Sequence, residues 1–212
     1  MKKHIVCLGD SNTHGYCADP RDCADGGSRF NEDERWTCLL QNMLGSEYLV
    51  IEEGLSGRTT VFVDPVHESM DALSIVSPVL SSHEPLDLLI IMLGTNDTKD
   101  RLGMNAACIA LGMERLVRKC MSIDCWGGKK PNILIVAPPP IGDELKDPCM
   151  GDHCAEKSRE LAFYYKQKAE LLGCHFMDAD GCEFNRIDYM HLTRKGHSQL
   201  AHRFAAVIPD II

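Results

Sequence analysis

Five short, largely apolar runs rich in branched side chains recur at wide intervals, at residues 4–8, 48–51, 86–93, 133–137 and 174–177. Runs of this kind read as strands buried on both faces. Between them the apolar period changes to that of a helix, most clearly at Ala110, Met113, Leu116, Val117 and Cys120, and again at Leu200, Phe204, Val207 and Ile211. Helices are also expected over 33–44, with Trp36, Leu39, Leu40 and Met43 on the apolar side, and over 158–172. Strand followed by helix, repeated, can close only as a parallel sheet covered by helices on both faces.

The 212 residues contain no internal repeat and no Pro-, Gly- or Ser-rich linker, so residues 1–212 are expected to form one domain. A net charge of −9, with no basic cluster longer than Lys129-Lys130, argues against a nucleic-acid partner. The apolar stretch 5–8 is cut short by Gly9-Asp10, well below the length of a signal core or a membrane span. A cytoplasmic protein with no membrane partner is the expectation. The eleven cysteines then read as free thiols. Cys17 with Cys23, Cys120 with Cys125, and Cys149 with His153 and Cys154 form loose groups, but none has the C-x₂-C pairing of a structural zinc site, and no metal is expected. Segments 17–31 and 138–156 read as long surface loops, where substrate choice would be decided.

In an open parallel sheet the ligand lies beyond the carboxyl ends of the strands. The first strand runs into Gly9-Asp10-Ser11-Asn12, the second into Gly54-Leu55-Ser56-Gly57, the third into Gly94-Thr95-Asn96-Asp97, and Asp188-Tyr189-Met190-His191 follows the last. A serine hydroxyl is a weak nucleophile until a base takes its proton, and the base needs a third group to fix its tautomer. Ser11, His191 and Asp188 supply those three residue types, and an ordinary imidazole, with a pKa near ~6.5, is mostly neutral at pH 7. Candidate donors to a developing oxyanion are the Ser11 and Gly57 N–H groups and the Asn96 amide. Asp10, Asn12 and Trp36 are candidates for substrate contact, although Asp10 also reads as a stabiliser of the nucleophile turn and Trp36 equally as a core side chain. Taken singly, each block is no more than a turn with a helix cap.

Taken together and in order, Gly9-Asp10-Ser11-Asn12, Gly57, Gly94-Thr95-Asn96-Asp97 and Asp188-x-x-His191 resemble the four signature blocks of the SGNH (GDSL-like) hydrolases. The stretches 35–37, 51–60 and 90–99 resemble the bacterial arylesterase/acyltransferase branch of that family. The resemblance implies a flavodoxin-like three-layer α/β/α sandwich with a five-stranded parallel sheet. It further implies a Ser11–His191–Asp188 triad and an oxyanion hole of Ser11, Gly57 and Asn96, without cofactor or metal. Its substrate would be a small-molecule ester with a short, acetyl-like acyl group. Acyl transfer to alcohols and homo-oligomerisation are implied by the branch. Asn12 replaces the Leu of the GDSL spelling, and Gly54 stands where many members carry Asn. From the fold alone, a non-catalytic flavodoxin-like module binding a small ligand or partner at the same rim is the alternative.

Overall fold

Along β1 (Lys3–Gly9), Ile5 and Cys7 pack into one hydrophobic layer while Val6 and Leu8 pack into the other, as the two-residue period of a strand requires. The same alternation divides β3 (Leu88–Met92) and β4 (Ile133–Ala137), whose ten residues are all buried. In this computed structural model, which describes residues 2–212, these strands lie between β2 (Tyr48–Gly54) and β5 (His175–Asp178). The sheet is parallel throughout, in the doubly wound order β2-β1-β3-β4-β5. One face is covered by α3 (Ala72–Ser82), α4 (Ala106–Met121) and α5 (Cys154–Leu172), and the other by α2 (Trp36–Leu44) and α6 (Arg194–Ile211). The three-layer α/β/α class expected from the sequence is the one observed.

Several elements differ from expectation in instructive ways. Helix α3 has no counterpart in the periodicity reading, because Pro78 lies inside it and reads as a helix breaker, although Ala72, Ile75, Val76, Val79 and Leu80 recur at helical spacing on its core side. Its start is fixed by Asp71, whose carboxylate accepts from the Ser74 N–H at 2.9 Å. Helix α5 begins at Cys154, four residues before the expected 158, so the loop after β4 is correspondingly shorter. Strand β3 is trimmed to Leu88–Met92 because the Leu86 N–H leaves the ladder for the Cys125 carbonyl.

Register decides what the strands present at their ends. Gly9 is level with Gly54 on one side and with Met92 on the other, so the turns after β1, β2 and β3 emerge side by side. Gly54 is where the family resemblance would place an Asn. The backbones of Thr13 and His14 pack so closely there that a Cβ would lie 2.3 Å from the His14 nitrogen. The departure is therefore structural: this rim admits only glycine. Among the described residues, no helix is long and apolar enough to cross a membrane, and all eleven cysteines are free thiols.

Candidate active site

The turn after β1 leads directly into α1 (Ser11–His14), one turn of helix capped by Asp10, which accepts from the Asn12 N–H at 3.0 Å. This geometry holds Ser11 at the rim. His191 Nε2 lies 2.8 Å from Ser11 Oγ, and His191 Nδ1 lies 2.6 Å from Asp188 Oδ2. With Nδ1–H donating to the carboxylate, Nε2 presents its lone pair to the serine hydroxyl. The Tyr16 ring packs on the imidazole with centroids 4.6 Å apart.

Asp188 is itself held tightly. Its Oδ1 accepts from the Met190 and His191 N–H groups, both at 3.1 Å, and from Asn185 Nδ2 at 2.8 Å. Partial burial pushes the carboxyl up, but the His191 hydrogen bond and charge, with the backbone and Asn185 donors, outweigh it and hold the pKa at about 2. Asn185 is the organiser of this turn. Its Oδ1 accepts from the Ile187 and Asp188 N–H groups, and its Nδ2 also reaches the His191 carbonyl at 2.8 Å. Sequence reading passed over it, and the only available signal was the spacing Asn185-x-x-Asp188-x-x-His191.

In the turns after β1, β2 and β3, the Ser11 N–H, the Gly57 N–H and the Asn96 carboxamide have no protein acceptor among the described residues. Gly57 adopts φ +89°, a left-handed conformation that favours glycine. Two buried carboxylates fix these turns. Asp97 does not cap the following helix, as a turn-and-cap reading would have it. It accepts from the Thr60 N–H at 2.9 Å and from Thr60 Oγ1 at 2.5 Å, joining the turns after β2 and β3. Asp64, also unremarked in the sequence, accepts from Lys99 Nζ at 2.9 Å and from Arg101 Nη2 at 2.7 Å, fastening the segment beyond Gly57 to the one beyond Asn96. Those hydrogen bonds, Arg101 first, hold its carboxyl well below the usual range.

The three residues expected to contact substrate are placed below the site. Trp36 is fully buried, stacked near Phe204, with Nε1 donating to the Asn12 carbonyl at 3.1 Å. Asn12 spans the two ends of the chain: its Oδ1 accepts from the Leu192 N–H at 2.9 Å and its Nδ2 donates to the Met190 carbonyl at 3.4 Å. Asp10 is buried beneath the serine, and burial pushes its carboxyl up to about 6. With no surface to offer a ligand, these residues support the reacting groups instead of touching substrate. Arg58 is buried, its guanidinium donating to the Gly9 and Glu53 carbonyls. His14 makes no contact with Ser11 Oγ, whose imidazole partner is His191. Among the described residues, no cluster of His, Cys, Asp or Glu is arranged to hold a metal ion.

His197 is a second buried imidazole. Its Nδ1 accepts from the Trp36 N–H at 3.2 Å, and burial lowers its pKa to about 3. An unfolded chain takes up a proton at this histidine near pH ~6.5 while the folded one does not, so its contribution to stability is complete above that pH and declines as pH falls toward 3. Urea midpoints measured at pH 7 and pH 4.5 are therefore expected to differ less in His197→Gln than in the parent. An equal difference in both proteins would contradict this origin.

Comparison with known proteins bears on the whole arrangement. The model of the GDSL-like lipase/acylhydrolase family matches residues 7–199. Among solved structures, the aryl esterase of M. smegmatis is 35% identical with a TM-score of 0.88, the match covering 99% of this chain and 100% of that one. A carbohydrate acetylesterase from Sinorhizobium meliloti is 35% identical with a TM-score of 0.89, the match covering 100% of both chains. A search of curated proteins gave no match.

Proposed function

The chain belongs to the GDSL-like lipase/acylhydrolase family and is a carboxylic ester hydrolase, and from that premise we propose that it cleaves short-chain, acetyl-like esters through an acyl-enzyme on Ser11. The observation that carries this reading is the continuous path from Ser11 Oγ through the imidazole to Asp188, at 2.8 and 2.6 Å, beside three donors without protein acceptors.

In this mechanism His191 removes the Ser11 proton as Oγ attacks the ester carbonyl, and Asp188 stabilises the imidazolium that forms. The Ser11 and Gly57 N–H groups and Asn96 Nδ2 receive the oxyanion, which is where preorganised donors contribute most to rate. His191 then protonates the departing alcohol, and water or a second alcohol, activated by the same imidazole, releases the acyl group. Acyl transfer to alcohols is thus the same second half-reaction with a different acceptor. No cofactor enters. The free state of all eleven thiols supports a reducing, cytoplasmic setting, and the shared α/β/α core supports reading residues 1–212 as one domain.

A fluorophosphonate probe tests the nucleophile directly. Mass spectrometry is expected to find the adduct on Ser11, with matching loss of p-nitrophenyl acetate turnover, and a folded protein left unlabelled would favour a binding module. Asn96→Ala is expected to lower kcat for p-nitrophenyl acetate by about 10²- to 10³-fold, the usual cost of one oxyanion donor. A change confined to KM would remove Asn96 from that role.

A further inference from the structure

The turn that carries the base is built around an unusual residue. Asp188 reaches an imidazole only three positions further on, and its Oδ1 accepts from the Met190 and His191 N–H groups, so the chain must reverse at residue 189. Tyr189 does this at φ +53°, in the left-handed region that glycine adopts freely and a bulky aromatic residue rarely does. A residue persists in such a conformation only where its surroundings over-determine it.

Those surroundings include the loop after β4. The Gly142 N–H donates to the Tyr189 carbonyl at 2.8 Å. Glycine serves closeness at position 142 and not its own backbone, which lies outside the left-handed region. A Cβ there would lie 3.0 Å from Tyr189 Cβ, 3.1 Å from Phe184 Cε2 and 3.3 Å from Glu144 Oε2. The loop is in turn fastened to α5, because the Ile141 N–H donates to Ser158 Oγ at 2.9 Å and both residues are buried. A chain of close contacts therefore runs from α5 through Ile141 and Gly142 to Tyr189, and from there along the turn to the imidazole.

We propose that Tyr189 is a positioning residue for the reaction, and that the Gly142 clamp, by holding its left-handed turn, fixes the orientation in which His191 faces Ser11. The inference rests on the acyl-enzyme reading above and adds to it a control point outside the triad. Tyr189 touches none of the reacting atoms in this role, so its effect falls on kcat and leaves substrate affinity alone. Small displacements matter, because proton transfer from Ser11 Oγ depends on the 2.8 Å approach of His191 Nε2.

The experiment measures kcat and KM for p-nitrophenyl acetate in the parent and in variants at 142 and 189. Gly142→Ala introduces the Cβ that presses on Tyr189 and is expected to lower kcat at least about tenfold, with KM within about twofold. In a Tyr189→Gly background, where the opposing Cβ is gone, the same change is expected to lower kcat by less than about twofold, a coupling that general weakening of the loop would not produce. An unchanged kcat in Gly142→Ala, a loss confined to KM, or an equal loss in both backgrounds overturns the assignment. A second comparison leaves the loop untouched and so decides the matter even where Gly142→Ala does not fold. Tyr189→Val, whose branched side chain resists positive φ, is expected to have a kcat at least about fivefold below that of Tyr189→Gly. Equal values overturn the proposal. Each of these results leaves the esterase reading standing while the parent is active and Ser11→Ala is not. A folded parent inert toward p-nitrophenyl acetate, or one matched by Ser11→Ala, removes that reading and the role of the clamp with it.

Discussion

Ser11→Ala is expected to reduce kcat for p-nitrophenyl acetate by about 10⁴- to 10⁶-fold, the loss seen when a triad nucleophile is removed and only binding and oxyanion donors remain. Structural damage would not account for such a loss. Ser11 opens a one-turn helix whose cap is made by Asp10 and whose closing bonds are backbone bonds, so an alanine leaves the turn intact. The deleted atom has one side-chain partner, His191 Nε2. Thermal unfolding of the variant should therefore match the parent within a few degrees while turnover disappears. A variant that keeps even a tenth of parental turnover would refute the acyl-enzyme on this residue.

Asp188→Asn is expected to lower kcat by about 10⁴-fold, and its interest lies in how little else changes. The Oδ1 atom that accepts from Met190, His191 and Asn185 is retained in the amide, so the turn keeps its internal bonds. The Oδ2 atom becomes a donor facing His191 Nδ1. The imidazole then places its own proton on Nε2, the nitrogen that must accept from Ser11, and the base is lost by a change of tautomer. In the parent the Asp188 carboxyl, held at about 2, is charged throughout the range in which the enzyme would work. An Asp188→Asn protein with turnover within tenfold of the parent would show that the carboxylate is dispensable and that the imidazole is oriented by other groups.

Much of this was legible in the chain before any coordinates. Apolar runs between helical periods specified the sheet and its two covering layers, because burial on both faces leaves little choice of architecture. Blocks at four strand ends drew attention to Ser11, Gly57, Asn96, Asp188 and His191; the structure joins Ser11, His191 and Asp188 by hydrogen bonds and sets Gly57 and Asn96 in the turns that follow the strands flanking β1. What stayed hidden has a common physical character. Asn185, Asp64 and Asp97 act through hydrogen bonds to groups far away in sequence or to backbone atoms, and neither leaves a periodic trace. Trp36, Asp10 and Asn12 were located near the site correctly in sequence, but depth below a surface is a property of packing, and only the fold shows that they lie underneath. Helix α3 was missed because Pro78 within it reads as a helix breaker, even though Ala72, Ile75, Val76, Val79 and Leu80 form an unbroken apolar face packed into the core with α4.

The bond from Asn12 to Leu192 carries a consequence for biosynthesis. It unites residues 180 positions apart, and the imidazole beside it arrives on the same late segment. A chain still emerging from the ribosome exposes its serine first, and under the proposed mechanism the imidazole that activates it follows only 180 residues later. Under the same mechanism, a chain that stops before His191 carries a serine without its base.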